Sequence, residues 1–116
     1  MLIMNLLSRT VMSFFPRLKF VVHERFLTLV ANDVAVPLDV SFNAENFGSA
    51  LDFERDLALA WQKTVKHFLE YTLTRPVVVV QLTRELRDYP GVPEKIAEAF
   101  KHFCAGKVMR LTIKQL

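Results

Sequence analysis

A row of four consecutive valines, Val77 to Val80, is the most strongly apolar pattern in the chain. Longer amphipathic segments precede and follow it. β-branched residues favour strands, and an apolar run without polar alternation is typical of a parallel strand that is covered on both faces. The pattern therefore predicts a central buried strand around which the rest of the chain is arranged.

The segment before this strand predicts a meander of antiparallel strands. Residues 18–30 are rich in β-forming side chains, and a single polar group, His23-Glu24-Arg25, interrupts them. This spacing predicts two strands joined by a tight turn. Asn32-Asp33, a pair that tolerates left-handed turns, precedes a third extended segment at 34–40. Because Pro37 in this segment has no amide hydrogen, we expect its strand to lie at the edge of the sheet.

A long amphipathic helix is predicted between the meander and the valine strand. Asp52 is a suitable N-cap, and helix periodicity continues to Thr72. Its apolar positions recur at spacings of three and four residues: Phe53, Leu57, Trp61, Val65, Phe68 and Leu69.

A second helix and a last strand follow the valine strand. Residues 81–91 have the composition of an exposed connection, with room for one helical turn. Pro93 suits the first turn of a helix, and Gly106 suits its end. Residues 108–113 then alternate between apolar and polar side chains, which predicts a strand.

The predicted fold class is therefore α/β (α+β), with elements in the order βββαβαβ. These elements form a five-stranded mixed sheet with two main helices, and a short amphipathic helix precedes them. We assign residues 1–17 to an amphipathic leader and residues 18–116 to a single domain. A chain of 116 residues is long enough to bury its own core.

The leader has an apolar face and leaves several interpretations open. Written as a helix, residues 2–15 could lie in a membrane interface, pack on the domain or a second copy, or form a leader without a fixed position. The candidate membrane or partner contacts are Ile3, Leu6, Leu7, Val11 and Phe14.

Composition and charge narrow the function classes. The hydrophobic fraction of 52% is typical of a packed globular protein. A net charge of +3 with scattered basic residues gives no reason to expect a nucleic-acid partner. Cys104 is the single cysteine, which excludes an intrachain disulfide and a cysteine-based zinc cage and favours the cytoplasm. Charges interrupt every apolar run before it could span a bilayer.

No pattern of catalytic or metal-binding residues emerges. The histidines show no ligand spacing, and the acidic residues near turns are explained as caps or solvated groups. His102 and Cys104 lie two positions apart in the second predicted helix, so they point about 200° apart and cannot form a nucleophilic pair. We therefore predict no catalytic residue, no metal site and no cofactor.

The order of elements and three short motifs resemble the first domain of actin-like ATPases, which has a ribonuclease H-like fold. Ala50-Leu51-Asp52-Phe53 is similar to the Ile-Ala-Asp-Phe helix start of the bacterial MreB group. Arg75-Pro76 before the valines is similar to its Arg-Pro linker and strand. Residues 104–111 are similar to its Ala-Gly-Ala-Arg-Glu-Val-Phe-Leu segment. The resemblance covers residues 14–116 and implies a half of such an ATPase, without the second lobe.

The phosphate motif of that family is degenerate here. The resemblance implies Asp-Leu-Gly-Thr at the end of the first strand, but the chain has Val21-Val22-His23-Glu24. Val21 takes the place of the acid that helps to organise metal and water, and His23 takes the place of a glycine whose backbone approaches phosphate. ATPase activity is therefore not expected, because phosphoryl transfer depends on these groups.

The leading hypothesis is a non-enzymatic interaction or regulatory module, a pseudoenzyme of the cytoplasm that binds a protein partner or itself. The resemblance implies a bacterial protein linked to cell shape, and a role in stress is a second possibility. One alternative is a residual nucleotide-binding or nuclease enzyme with a site around Glu24 and Asp56. Another is a toxin-immunity protein, or a protein peripheral to the inner membrane through residues 2–15.

Overall fold

A computed structural model describes residues 16–31, 33–38, 40, 42–65 and 75–116. These residues form a mixed α/β fold with the predicted order of elements. The strands are β1 (Arg17–Val22), β2 (Leu27–Ala31), β3 (Val34–Leu38), β4 (Val77–Leu82) and β5 (Arg110–Gln115). The α-helices are α1 (Ala50–Ala60) and α2 (Val92–Cys104), with a π-helical segment at Trp61–Val65 and a 3₁₀ turn at Arg84–Asp88.

The strands form one mixed sheet in the order β3-β2-β1-β4-β5. β1 is antiparallel to β2 and parallel to β4, and β4 is parallel to β5. The valine strand is therefore central, as predicted. β3 with its Pro37 is an edge strand, which confirms the meander and its outer strand. Asp33 has φ 63° in the turn before β3, as its predicted left-handed turn requires.

Burial of the central strand differs from the expectation in one respect. Val78 and Val80 are fully buried, but Val77 and Val79 are only half-buried. The same alternation runs through β1 and β2, so one sheet face forms the core. The prediction that β4 is covered on both faces is wrong for the described residues, because α1 and α2 pack on the same face.

Aromatic rings join the two helices to this core face. The ring of Phe20 on β1 lies 6.0 Å from that of Trp61 and 5.4 Å from that of Phe100 on α2. Phe53 on α1 lies 5.8 Å from Phe100, and Trp61 lies 5.4 Å from Phe103. The predicted spacing of four along the first helix is confirmed, since its apolar positions from Phe53 to Val65 pack on this cluster.

The first helix begins earlier than predicted. Ser49, not Asp52, is the N-cap: the Ser49 hydroxyl oxygen accepts a hydrogen bond from the Asp52 amide at 3.1 Å. Asp52 lies in the first turn, where its negative charge interacts favourably with the helix dipole and stabilises the helix. Serine and aspartate are both good caps, and the serine oxygen reaches the amide three residues on. α1 ends at Ala60, and of the predicted continuation to Thr72 the part after residue 65 lies outside the described residues.

The other boundaries agree closely with the sequence. α2 has proline in its first turn, and Gly106 has φ 77° in the turn that follows the helix. β5 runs from Arg110 to Gln115, two residues later than predicted. The leader contacts Ile3, Leu6, Leu7, Val11 and Phe14 lie outside the described residues. Within the described part of the chain, neither helix has the length and apolar character needed to cross a bilayer.

Candidate functional site

The carboxyl ends of the parallel strands β1 and β4 lie side by side. The Thr83 amide donates a hydrogen bond to the Val22 carbonyl oxygen at 3.1 Å, which joins the two strand ends. In α/β sheets, ligands bind in the crevice beyond the carboxyl ends of strands. This edge is therefore the first place to look for a site, and it contains the sequence-predicted phosphate position.

Val21, His23 and Glu24, where the resemblance implies a phosphate motif, do not converge on one point. Val21 is half-buried on the sheet face opposite the helices, in register with Gln81 of β4. His23 lies in the hairpin turn, where its ring stacks on Phe26 with centroids 4.2 Å apart. The His23 amide donates to the Phe26 carbonyl oxygen at 2.9 Å, so this amide is not free to bind an anion. Glu24 follows in the same turn.

Glu24 connects the hairpin to two distant parts of the chain. Its backbone carbonyl oxygen accepts a hydrogen bond from the Ala44 amide at 2.8 Å. Its carboxylate accepts a short hydrogen bond from the Tyr89 hydroxyl. This hydrogen bond raises the pKa of Tyr89, and burial and the negative charges of Glu24 and Glu45 add to the effect. The Glu24 carboxylate thus joins the turn to the segment after β4, a structural role.

Replacing Tyr89 with phenylalanine should lower the stability of the protein modestly by removing the hydrogen bond to Glu24. Because the folded-state pKa of Tyr89 is raised, its contribution is complete below the unfolded value of about 10. The contribution is lost as the pH rises through the raised pKa. Urea unfolding of both proteins should therefore show a constant difference from pH 7 to about 9 that shrinks above about 10.

Glu24→Gln is the matched control, since it keeps an acceptor for the Tyr89 hydroxyl but removes the charge. We expect it to retain part of the stability that Tyr89→Phe loses. Equal stability of the wild type and Tyr89→Phe at pH 7 would show that the contact contributes nothing in solution.

Asp56, the other carboxylate of the enzyme alternative, lies in a different environment. It lines a cavity of about 240 Å³ together with Asn43, Asn46 and Asp52, and Glu24 is not among the lining residues. Asp52 is engaged by the Arg55 guanidinium at 3.8 Å. In the described ranges, no group of three histidine, cysteine or acidic side chains is placed to hold a metal ion. Glu24 and Asp56 thus belong to no cluster of the kind that two-metal chemistry requires.

His102 and Cys104 have separate surroundings. The Nδ1 atom of His102 lies 2.7 Å from the Glu54 carboxylate, and this contact links the exposed sides of α1 and α2. Cys104 is buried, and burial raises the pKa of its thiol to about 11. A thiol with this pKa is almost entirely protonated at neutral pH, so Cys104 is not an activated nucleophile.

The sheet face opposite the helices, which we call the open face, is basic. Half-buried Val30 and Val79 lie in a shallow hollow of about 370 Å³. Arg17, Lys19 and Lys114 line this hollow, and Asp33 is the acidic residue at its margin. In the sheet register Arg110 also lies on this face, beside Val77. A positively charged, partly apolar surface is therefore formed by residues from four strands.

Sequence reasoning missed both the open face and the contact between Glu24 and Tyr89. The basic residues at 17 and 19 alternate with buried apolar positions in β1, and those at 110 and 114 alternate with half-buried apolar positions in β5. This alternation was a usable signal once the core face was known. Glu24 and Tyr89 are 65 positions apart and belong to no motif, so the sequence contains no signal of their contact.

Comparison of the chain with protein-family models, with curated proteins and with solved structures finds no match. The candidate surfaces are therefore judged by their own geometry and charge.

Proposed function

We propose that this protein is a non-enzymatic interaction module that binds an acidic protein partner through its open face. The observation that carries the proposal is the one-sided burial of the sheet. Valines of three adjacent strands remain half-buried on the open face, and Arg17, Lys19 and Lys114 surround them. Three cations and one carboxylate, Asp33, line the hollow, and an apolar area with such an excess of positive charge is suited to a negatively charged protein surface.

The chemistry of the open face favours a protein over a nucleic acid. Sheet surfaces that bind single-stranded nucleic acids use aromatic side chains on which bases stack. The strand positions of the open face carry valine, alanine, threonine, proline, glutamine, lysine and arginine, and none of the described ones is aromatic. The apolar side chains at the centre of the open face can pack against apolar side chains of a protein partner.

The scaffold in this proposal is a ribonuclease H-like half domain. The order of elements supports this scaffold. The chain forms three antiparallel strands and then two parallel strands, and a helical connection leads to each parallel strand. The proposal that the module is not an enzyme is supported by the residues where the resemblance implies a phosphate motif. The His23 amide and the Glu24 carboxylate there are occupied by contacts within the protein. An actin-like filament protein with an acidic surface is the first partner to test, given the resemblance to the MreB group.

Site-specific photocrosslinking tests the proposal in cells that express the full chain. A benzoylphenylalanine introduced at Val79 lies on the open face, and the same group at Glu98 lies on the exposed side of α2. We expect Val79 to give a crosslink to one acidic protein. This crosslink should disappear when Lys19 and Lys114 are both changed to glutamate, and the control at Glu98 should not give it.

Three outcomes would contradict the proposal. They are a crosslink to nucleic acid, a crosslink to a second copy of the chain, and a partner whose capture persists after the charge reversal. Thermal unfolding of the variants checks that they remain folded.

A further inference from the structure

A groove lies between the end of α2 and strand β5, on the core side of the sheet and away from the open face. It has a volume of about 460 Å³. Apolar side chains form much of its lining, including half-buried Leu111 and Ile113 and exposed Met109. Lys101 and Arg110 also line it, and none of the described lining residues is acidic.

β5 is the edge strand beside this groove. It pairs with β4 on one side, and no described strand lies on the other. The Leu116 amide donates to the Leu82 carbonyl oxygen at 2.9 Å, towards β4. Because backbone groups alternate in direction along a parallel strand, those of Arg110, Thr112 and Lys114 also point to β4, and those of Leu111 and Ile113 point to the free edge. Unpaired edge groups next to an apolar groove are the features used to bind an extended peptide as an added strand.

Charge selects among the possible occupants of this edge. A second copy of β5 would bring Arg110 and Lys114 against the same residues of its partner, and like charges across paired strands are destabilising. Lys101 adds a further positive charge to the groove, and the lining residues that the structure describes include no carboxylate to neutralise it. A strand with acidic side chains avoids this repulsion and pairs with the cations.

We propose that the groove between α2 and β5 binds an acidic, extended peptide segment of another protein. The segment adds a strand beside β5, inserts an apolar side chain above Leu111 and Ile113, and places carboxylates near Lys101 and Arg110. This site shares Arg110 with the open face but otherwise lies on the core side of the sheet, and it does not depend on the function proposed for that face.

Selection from a displayed library of random ten-residue peptides tests the inference on the full chain. We expect the selected peptides to alternate apolar residues with aspartate or glutamate. A synthetic copy of the best peptide should slow hydrogen exchange of the Leu111 and Ile113 amides, which point to the free edge. Lys101→Glu changes an exposed position. We expect it to lower the affinity for the peptide about tenfold or more, because it reverses a charge at a complementary interface.

The edge strand is tested by two substitutions at one position. Ile113→Pro removes an amide hydrogen that points to the free edge and should abolish binding, whereas Ile113→Val keeps it and should bind nearly as the wild type does. Lys19→Glu on the open face should leave peptide binding unchanged, which separates this site from the proposed function. The inference is overturned if no peptide is selected, if the selected peptides are basic or do not alternate, or if Lys101→Glu binds them as the wild type does.

Discussion

Val80→Asp should destabilise the protein strongly, whereas Val79→Asp, one residue earlier in the same strand, should have little effect on stability. Val80 is fully buried between the sheet and the helices, in register with Phe20. An uncompensated charge at such a position costs about 3–5 kcal/mol. This is a large share of the stability of a small domain, which is about 5–15 kcal/mol in total. Circular dichroism and urea unfolding of the two purified variants measure the difference.

Val79→Asp is the matched control because it introduces the same charge on the open face. Val79 is half-buried, and Lys19 is its partner in β1, so the new carboxylate lies near a cation. We expect a loss of no more than about 1 kcal/mol, the range of strand propensities measured in a host protein. If Val79→Asp destabilises the protein as much as Val80→Asp does, the open face is covered in solution and cannot bind a partner as proposed.

The sequence predicted the order of strands and helices well because each element has a local signal. The valine run marks the central strand, Pro37 marks an edge, and Gly106 marks the turn after α2. The first helix shows the limit of such signals. Ser49 and Asp52 are both good caps, and the choice between them depends on which oxygen the folded backbone brings to the Asp52 amide.

Coverage of the sheet could not be predicted from the valine run. Four valines in a row indicate an apolar environment, but only the register with β1 shows that Val79 lies between Lys19 and Thr112 on the half-buried face. The candidate surfaces follow from that register. Basic residues that are scattered along the sequence gather on one sheet face because strand residues alternate in direction. The weak net charge therefore concealed a local concentration of positive charge.

The groove beside β5 and the open face share one structural origin. β5 is the last described strand, and it lies at the sheet edge with Arg110 and Lys114 on one face and Leu111 and Ile113 on the other. Positive charges on edge strands also discourage pairing between copies. The same residues that oppose self-association therefore favour an acidic partner, which is why both proposals specify a negatively charged ligand.

Phe100→Ala should destabilise the protein more than any other alanine substitution proposed here. The Phe100 side chain is fully buried, and its ring contacts Phe20 of β1 at 5.4 Å and Phe53 of α1 at 5.8 Å. Truncation removes these contacts and leaves a cavity at the place where α1, α2 and the sheet meet. Buried phenylalanine-to-alanine changes cost about 3–5 kcal/mol. Urea unfolding should show this loss as a lower midpoint with an unchanged slope.

Phe26→Ala provides the same chemical change at an exposed position. Half of the Phe26 surface is exposed (50%), and its ring contact is with His23 in the hairpin turn. We expect a loss within about 0.5 kcal/mol, as for most surface substitutions. Similar losses for the two variants would mean that the aromatic cluster does not hold the helices on the sheet. The one-sided core, on which the open face depends, would then need another explanation.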